Sequence, residues 1–250
     1  MRWLTFDLDG TLADWPFRYI VQPHMRPLVE NNPGLREALR EEYQSRLGTG
    51  EPARIYDWGD IHHSVKQKLG LSLSFPDIPK LLEAATFEPG MVYGDVLEGL
   101  RAFKAQGWSV AVATNGLAKY QQPLVDRLEI PYDFMLAPDV SGATKPEVEF
   151  WDPLPRPRTR VVHVGDLLTH DIWGANAAGL GAVWIWREMP PAWRETPVEQ
   201  RLARGDAREV IAALVERELE EHGFVGREMP GELPRPDHVV ADLRELLEVV

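Results

Sequence analysis

The sequence predicts a doubly wound α/β fold with a parallel sheet and an inserted α-helical domain. From about residue 94 onward, strand and helix patterns alternate, which is typical of parallel strands joined by right-handed crossovers. The run Trp108–Ala113 is almost continuously apolar, as expected for a strand buried on both faces. Residues 15–93 differ in texture, because they contain helical patterns and no convincing strand.

The predicted elements of the α/β part follow one another in a regular order. The predicted strands are residues 3–7, 108–113, 134–137, 161–164, 182–186 and 238–240. The predicted helices are residues 95–106, 117–128 and 171–178, together with a terminal helix through Val250. Gly107 and Gly179 are suited to ending the first and third of these helices.

Two stretches interrupt this alternation. In the first, Leu35, Leu39, Tyr43 and Leu47 recur every four residues, which predicts one helix that Gly48 and Gly50 end. Further short helices are predicted at 61–69 and 79–85. The second stretch, at about 187–236, is Pro-rich around a helix at 207–221 whose acidic face is interpreted as solvated. We therefore expect a core of residues 1–14 and 94–250 with this late insertion, and a helical domain at 15–93.

Composition restricts the classes of partner. The 250 residues carry a formal net charge of -12, and the chain has no cysteine, which excludes disulfides and thiolate metal sites. We see no basic face of the kind that nucleic-acid binding requires, and no apolar run long enough for a membrane helix. We expect a cytoplasmic protein, either a monomer or a homodimer. An acidic protein that binds a small anion must concentrate cations locally.

Chemically active residues follow the predicted strands. In open α/β sheets, ligands bind outside the carboxyl ends of the strands. The first strand ends in Asp7-Leu8-Asp9-Gly10-Thr11, the strand at 108 in Thr114-Asn115-Gly116, and the strand at 161 in Gly165-Asp166, with Asp171 following. Lys145-Pro146 lies in a loop ahead of the last of these. Four carboxylates, one hydroxyl and one ammonium are therefore expected in one crevice.

Each of these groups suits phosphoryl chemistry. Clustered carboxylates repel one another, and Mg²⁺, which prefers oxygen ligands, relieves that repulsion. One carboxylate can attack phosphorus, and a second, two residues on, can act as acid and then as base. Lys145 supplies positive charge for the phosphoryl group, and the Thr114 hydroxyl can bind another phosphoryl oxygen. Gly10 allows the chain to turn sharply at the strand end.

These four motifs, in this order, resemble those of the haloacid dehalogenase-like (HAD) hydrolases. The resemblance covers nearly the whole core and implies a phosphatase that cleaves a small phosphomonoester through an aspartyl-phosphate, with Mg²⁺. It also implies that residues 15–93 form the helical cap that such members carry after the first motif. One departure is Leu167, since relatives often carry a polar residue after the aspartate of the fourth motif.

The resemblance assigns a role to each motif residue. Asp7 is the nucleophile and a metal ligand, and Asp9 is the general acid/base, with its backbone carbonyl on the metal. Asp166 is the third protein ligand of the metal, and Asp171 orders its surroundings. Thr114 and Lys145 hold the phosphoryl group, and Lys145 also holds Asp7. Asn115 and Gly116 complete the predicted substrate-binding residues.

Several alternatives remain open from sequence. A mutase that acts on a sugar phosphate would keep Asp9, dehalogenation would not need it, and phosphonate cleavage would need a cap lysine such as Lys66, Lys68 or Lys80. A binding protein that retains the fold without catalysis is a different class.

Residues 15–93 offer candidates for contact with the substrate, each interpreted first as structural: Arg18, His24, Arg54, Trp58, His62 and His63. Outside residues 15–93, His163 is interpreted as a packed residue in the middle of a strand. His170 is interpreted as either near the site or solvated.

Overall fold

The computed structural model describes residues 2–47, 49–88, 90–157, 160–226 and 230–250. Gly48, one of the two glycines predicted to end a helix, lies outside this description. No helix within these ranges is both long and apolar enough to cross a lipid bilayer.

A parallel six-stranded sheet in the order β3-β2-β1-β4-β5-β6 is the centre of the described structure. The strands are β1 (Arg2–Phe6), β2 (Trp108–Ala113), β3 (Phe134–Leu136), β4 (Val161–Gly165), β5 (Gly181–Ile185) and β6 (His238–Val240). Every predicted strand is present, with its ends shifted by no more than one residue. The predicted doubly wound α/β fold is confirmed.

Helices surround the sheet and connect its strands. Those between β1 and β2 are α1 (Pro16–Ile20), α2 (Gln22–Asn31), α3 (Leu35–Arg46), α4 (Pro52–Ile55), α5 (Trp58–Leu69), α6 (Ile78–Ala84) and α7 (Val96–Ala105). Those that follow are α8 (Ala118–Arg127), α9 (Pro138–Ser141), α10 (Trp173–Ala178), α11 (Pro191–Arg194), α12 (Ala207–His222) and α13 (Leu243–Val249). Short 3-10 helices cover Val148–Trp151 and Val198–Ala203.

The topology identifies where a ligand should bind. Strands added after β1 go to one side through β2 and β3, and those added later go to the other side through β4, β5 and β6, so the direction switches between β1 and β4. Phe6 of β1 is fully buried and pairs with Val164 of β4, and the Asp7 amide extends the ladder by donating to the Val164 carbonyl at 2.9 Å. The crevice at such a switch point therefore opens beside Asp7.

The helix predicted at 171–178 begins earlier than expected. A π-helix, Leu168–Ile172, precedes α10 and continues into it. Glu218 of α12 accepts hydrogen bonds from the amides of Leu168 and Thr169 at 3.0 and 2.8 Å, so amides that a helix start leaves without partners are satisfied by a distant side chain. No local sequence pattern predicts this contact between Glu218 and the start of the π-helix.

The segment 187–236 is fixed to the core by buried arginine contacts. Arg201, which is 1% exposed, donates to the carbonyl of Val239 in β6 at 2.9 Å and pairs with Glu245 of α13 at 2.5 Å. It also donates to the carbonyls of Trp193 and Thr196 at 3.0 Å each. One guanidinium thus joins α11, β6 and α13.

Replacing Arg201 with alanine is expected to lower the free energy of unfolding by about 3 to 5 kcal/mol, because it leaves a partly buried carboxylate and several carbonyls without their partner. Urea unfolding followed by circular dichroism measures this. Arg208→Ala, at an exposed position on α12, is the control and should change stability by less than about 0.5 kcal/mol. Equal effects of the two substitutions would contradict the role assigned to Arg201.

Candidate active site

The first motif leaves β1 and turns back at once. The amides of Leu12 and Ala13 both donate to the Leu8 carbonyl at 2.9 Å, which makes a tight turn directly after the strand. Gly10 has φ +83°, a left-handed conformation that favours glycine. A Cβ atom at Gly10 would clash with the Asp166 carboxylate. Glycine at this position therefore lets the β1 and β4 motifs approach each other closely.

Lys145 is buried, 2% exposed, between two carboxylates. Its Nζ donates to Asp7 Oδ1 at 2.6 Å and to Asp171 Oδ1 at 2.5 Å. Asn115 braces the lysine from the end of β2, because its Oδ1 accepts from the Lys145 amide at 2.8 Å and its Nδ2 donates to the Lys145 carbonyl at 3.1 Å. The loop that carries Lys145 is thus attached to the neighbouring strand end.

Three carboxylates lie close together at this site, and two of them contact the ammonium. One oxygen each of Asp7, Asp166 and Asp171 lies within 4.8 Å of the others. Asp166 has no cationic partner among the described residues, and its nearest hydrogen-bond donor is the Thr11 hydroxyl at 3.4 Å. When all three acids are ionised, Lys145 leaves two negative charges uncompensated. An all-oxygen donor set with this charge is one that a hard divalent cation fits.

The acids differ in their electrostatic environments. Burial raises the pKa of Asp7 to about 7, although Lys145 opposes the shift, and burial likewise raises the pKa of Asp9 to about 6. Desolvation and the neighbouring Asp7 and Asp171 raise the pKa of Asp166 well above its usual value. Burial would also raise the pKa of Asp171, but Lys145 and His163 outweigh it and hold that pKa below its usual range. Of the three clustered acids, Asp7 and Asp166 therefore have raised pKa values, and their ionised forms are the ones that a cation would stabilise.

Asp171 is oriented by several partners at once. Its Oδ2 accepts from the Leu167 amide at 3.0 Å, and its Oδ1 contacts His163 Nε2 at 3.0 Å as well as Lys145. His163 is fully buried, as predicted, and burial lowers its pKa. Its role in packing therefore includes holding an acid of the site in place.

A cavity of about 340 Å³ opens onto these groups. The predicted site residues in its lining are Asp7, Asp9, Thr114, Asn115, Gly116, Lys145 and Asp171. The Thr114 oxygen accepts from the Gly116 amide at 3.0 Å, which leaves its hydroxyl hydrogen free to donate. Asp166 is absent from this described lining but lies beside Asp7 and Asp171. The structure thus brings all the predicted motif residues together.

Of the candidates for substrate contact in residues 15–93, the structure places one in the cavity lining. Trp58 lines the cavity, whereas Arg18, His24, Arg54, His62 and His63 are absent from its described lining. Arg54 is instead paired with Glu51 at 2.8 Å, and His62 stacks on Phe75 with ring centroids 4.3 Å apart.

Sequence reasoning missed several residues of the cavity. Gln121, Tyr120, Tyr43 and Tyr56 line it, as do Glu221 and His222 from the end of α12. His170 is 6% exposed and lines it too, so it is not solvated. Glu218, on the helix whose acidic face was interpreted as solvated, is 5% exposed because it caps the π-helix. A single buried acid within an acidic helix gives no sequence signal.

Comparison with known proteins agrees with this geometry. Residues 1–179 match the haloacid dehalogenase-like hydrolase family. The chain belongs to the haloacid dehalogenase-like hydrolases. The predicted family is therefore confirmed.

Two curated relatives of this HAD-like hydrolase show its type. It is 36% identical over 200 residues to ribulose-1,5-bisphosphate 5-phosphatase of Halopiger xanaduensis, an alignment that covers 71% of this chain and 82% of the relative. It is 30% identical over 205 residues to 5-amino-6-(5-phospho-D-ribitylamino)uracil phosphatase YigB of Escherichia coli, covering 73% and 82%. The prediction of a HAD-type phosphatase is confirmed.

A solved structure shows the same fold. A HAD phosphatase from Thermococcus onnurineus superposes with a TM-score of 0.62 at 22% identity, covering 100% of this HAD-like hydrolase and 97% of that chain. At this identity the likeness concerns the fold alone.

Gly10→Ala is expected to weaken divalent-cation binding at least tenfold, because the new methyl group displaces the Asp166 carboxylate. Gly107→Ala is a matched control, since Gly107 has φ +82° and nothing within 4 Å of its Cβ position. The left-handed backbone conformation alone should cost each variant about 1 kcal/mol of stability, and the clash with Asp166 is present in Gly10→Ala only. Calorimetric titration with Mg²⁺ measures the difference, and equal affinities in the two variants would contradict the proposed packing.

Proposed function

We propose that this protein hydrolyses a small phosphomonoester through an aspartyl-phosphate on Asp7, with Mg²⁺ as cofactor. The observation that carries the proposal is the cluster of Asp7, Asp166 and Asp171, in which the buried ammonium of Lys145 pairs with Asp7 and Asp171 but not with Asp166. Its residual negative charge supports a divalent cation, and its all-oxygen donors favour Mg²⁺. The partner is a small phosphorylated metabolite.

In the proposed reaction, Asp7 acts as the nucleophile. Lys145 holds Asp7 Oδ1 and so orients the other carboxylate oxygen for attack on phosphorus. Thr114 donates its hydroxyl hydrogen to a phosphoryl oxygen, and Lys145 supplies positive charge. The side chains of Asp7 and Asp166, with the Asp9 backbone carbonyl, would hold the Mg²⁺, which neutralises charge on the phosphoryl group. Asp171 fixes Lys145 and thereby the geometry of the nucleophile.

Asp9 acts as acid and then as base. Its Oδ1 is buried without a hydrogen-bond partner and lines the cavity, so it is free to contact a leaving-group oxygen. Asp9 donates a proton to the departing alkoxide in the first step. In the second step it takes a proton from the water that attacks the aspartyl-phosphate, which releases phosphate and restores both carboxyl groups.

Residues 15–93 act as the cap over this site in our proposal. Support comes from the hydrogen bonds of Asp57, whose carboxylate accepts from Lys119 at 2.7 Å and from the Tyr120 hydroxyl at 2.9 Å, both on α8 of the sheet-bearing part. The Gly59 amide also donates to the Tyr120 hydroxyl at 3.0 Å. A cap held in this way excludes water from the phosphoryl group. The late insertion at about 187–236 would contribute Glu221 and His222 to the same cavity.

The two relatives described above act on different types of phosphate ester. One acts on a sugar carrying a second phosphate and the other on an ester whose leaving group bears a uracil ring, as their names state. This chain is similar in sequence to both, so the residues that line its cavity must decide between such substrates.

Asp7→Asn is expected to lower phosphate release at least about a thousandfold while the fold is kept, because an amide of the same shape cannot attack phosphorus. A malachite-green assay over a panel of phosphate esters measures turnover, and circular dichroism checks the fold. Asp152→Asn, an exposed aspartate, should retain wild-type rates. Near-normal activity of Asp7→Asn would remove Asp7 as the nucleophile.

Removal of the cation is expected to abolish turnover. Dialysis against EDTA should reduce phosphate release to background, and added Mg²⁺ should restore it, because Asp7 and Asp166 repel the phosphate when uncompensated. Rates measured before and after readdition of metal test this. Undiminished turnover in the presence of chelator would remove the metal from the proposal.

A further inference from the structure

Part of the cavity lining, which we call the aromatic wall, consists of aromatic side chains. Its rings come from five residues before or at the start of α5 and from one residue of α8, namely Trp15, Phe17, Tyr43, Tyr56, Trp58 and Tyr120. Tyr43 and Trp58 are nearly parallel, 15° apart with centroids at 6.1 Å, and Phe17 lies 6.3 Å from Trp58. Trp15 is 42% exposed, and most of the other rings are only half-buried. Part of the surface of these rings is therefore not buried in the core and is accessible from the cavity.

The described lining of the cavity offers no unpaired lysine or arginine to a second anionic group. Among the described lining residues, Lys145 is the one lysine or arginine, and it is already held by Asp7 and Asp171. The described lining also contains two histidines, His170, which is 6% exposed, and His222. Of these, His222 lies 3.9 Å from the Glu221 carboxylate.

Negative charge accumulates on the lining instead. Asp9 lines the cavity, but it carries the proton for the leaving group in the proposed first step. The other acids of the described lining are Asp7, Asp171 and Glu221, the last at an exposed position. One divalent cation and Lys145 serve the phosphoryl group that is being transferred. A carboxylate or second phosphate on the leaving group would face these acids without compensation, and Coulomb repulsion would disfavour it.

Polar atoms without partners lie beside the aromatic wall. Asp9 Oδ1, Gln121 Oε1 and His170 Nε2 are buried in this cavity and make no hydrogen bond in the described structure. Buried polar atoms normally have partners, so these three favour a ligand that carries neutral hydrogen-bonding groups close to the ester oxygen. The cavity thus has a polar floor and an aromatic wall.

We infer that the leaving group of the substrate carries an uncharged planar ring, seated against this aromatic wall, and no second anionic group. This inference rests on the proposed function, because it concerns the alcohol that leaves when Asp7 takes the phosphoryl group. Ring stacking against the wall provides the affinity, and the acidic lining provides the discrimination against dianionic or carboxylated esters.

Three matched esters of primary alcohols test the inference with the wild-type enzyme and Mg²⁺. They are 2-phenylethyl phosphate, ethyl phosphate and 2-(4-carboxyphenyl)ethyl phosphate, so that the ring and then one negative charge are added to a similar ester. The kcat/KM for the phenylethyl ester should exceed that of each of the other two at least tenfold. Equal values, or a preference for the carboxylated ester, would overturn the inference.

A binding measurement separates this inference from the proposed function. Quenching of tryptophan fluorescence gives Kd for 3-phenylpropylphosphonate and for propylphosphonate, which cannot be hydrolysed. The ring-bearing phosphonate should bind at least tenfold more tightly. Ring-selective binding without turnover of any ester would refute the proposed hydrolysis and keep the ring site, whereas turnover without ring preference would refute the ring site and keep the hydrolysis.

Substitutions in the wall and at its edge locate the selectivity. Trp58→Leu should reduce the preference for the phenylethyl over the ethyl ester at least fivefold, and Trp58→Phe should preserve most of it. Tyr19→Leu, at an exposed tyrosine outside this cavity, should not change the ratio. An unchanged ratio in a folded Trp58→Leu variant would overturn the assignment of the wall.

Charge at the cavity is tested by a pair of substitutions on α12. Glu221→Lys should raise the kcat/KM ratio of the carboxylated to the phenylethyl ester at least fivefold, because it replaces a repelling charge at the cavity edge with an attracting one. Glu220→Lys, next to it on α12 but absent from the described lining, should leave the ratio unchanged. The same ratio in both variants would show that charge at the cavity does not select the leaving group.

Discussion

The buried ammonium of Lys145 is the contact on which the rest of the site depends. It lies within 2.6 Å of Asp7 Oδ1 and 2.5 Å of Asp171 Oδ1, and it is nearly inaccessible to solvent. A buried lysine stays charged only beside carboxylates, and buried carboxylates stay charged only beside a cation, so each partner fixes the others. Asp166 is the acid that this arrangement does not satisfy. Its uncompensated charge is the physical reason for expecting a divalent ion.

The fold delivers these groups from distant parts of the chain. Asp7 and Asp166 meet because β1 and β4 are neighbours at the point where the sheet changes direction. Lys145 is brought in by its loop, which Asn115 braces from the end of β2. Glu218 reaches across from α12 to hold the start of the π-helix that carries Asp171. The late segment therefore supports the site as well as lining its cavity.

Sequence reasoning reached the sheet and the motif residues because their signals are local. Continuous apolar runs such as Trp108–Ala113 identify buried strands, and an acid or glycine directly after a strand identifies its functional end. Contacts between distant elements have no such signal. Glu218 resembles any other acid of an exposed helix until its partners are known, and the aromatic wall depends on how residues 15–58 pack over the sheet. The residues that line the cavity could therefore be identified only from the structure.

The central claim is that Asp7 and Asp166 share one divalent ion beside an attacking carboxylate oxygen. A crystal structure of the protein with Mg²⁺ and beryllium fluoride, a mimic of a phosphoryl group, tests it most directly. The account predicts beryllium fluoride bound to the Asp7 carboxylate and metal density in contact with both Asp7 and Asp166. An unmodified Asp7, or a metal bound away from Asp166, would contradict it.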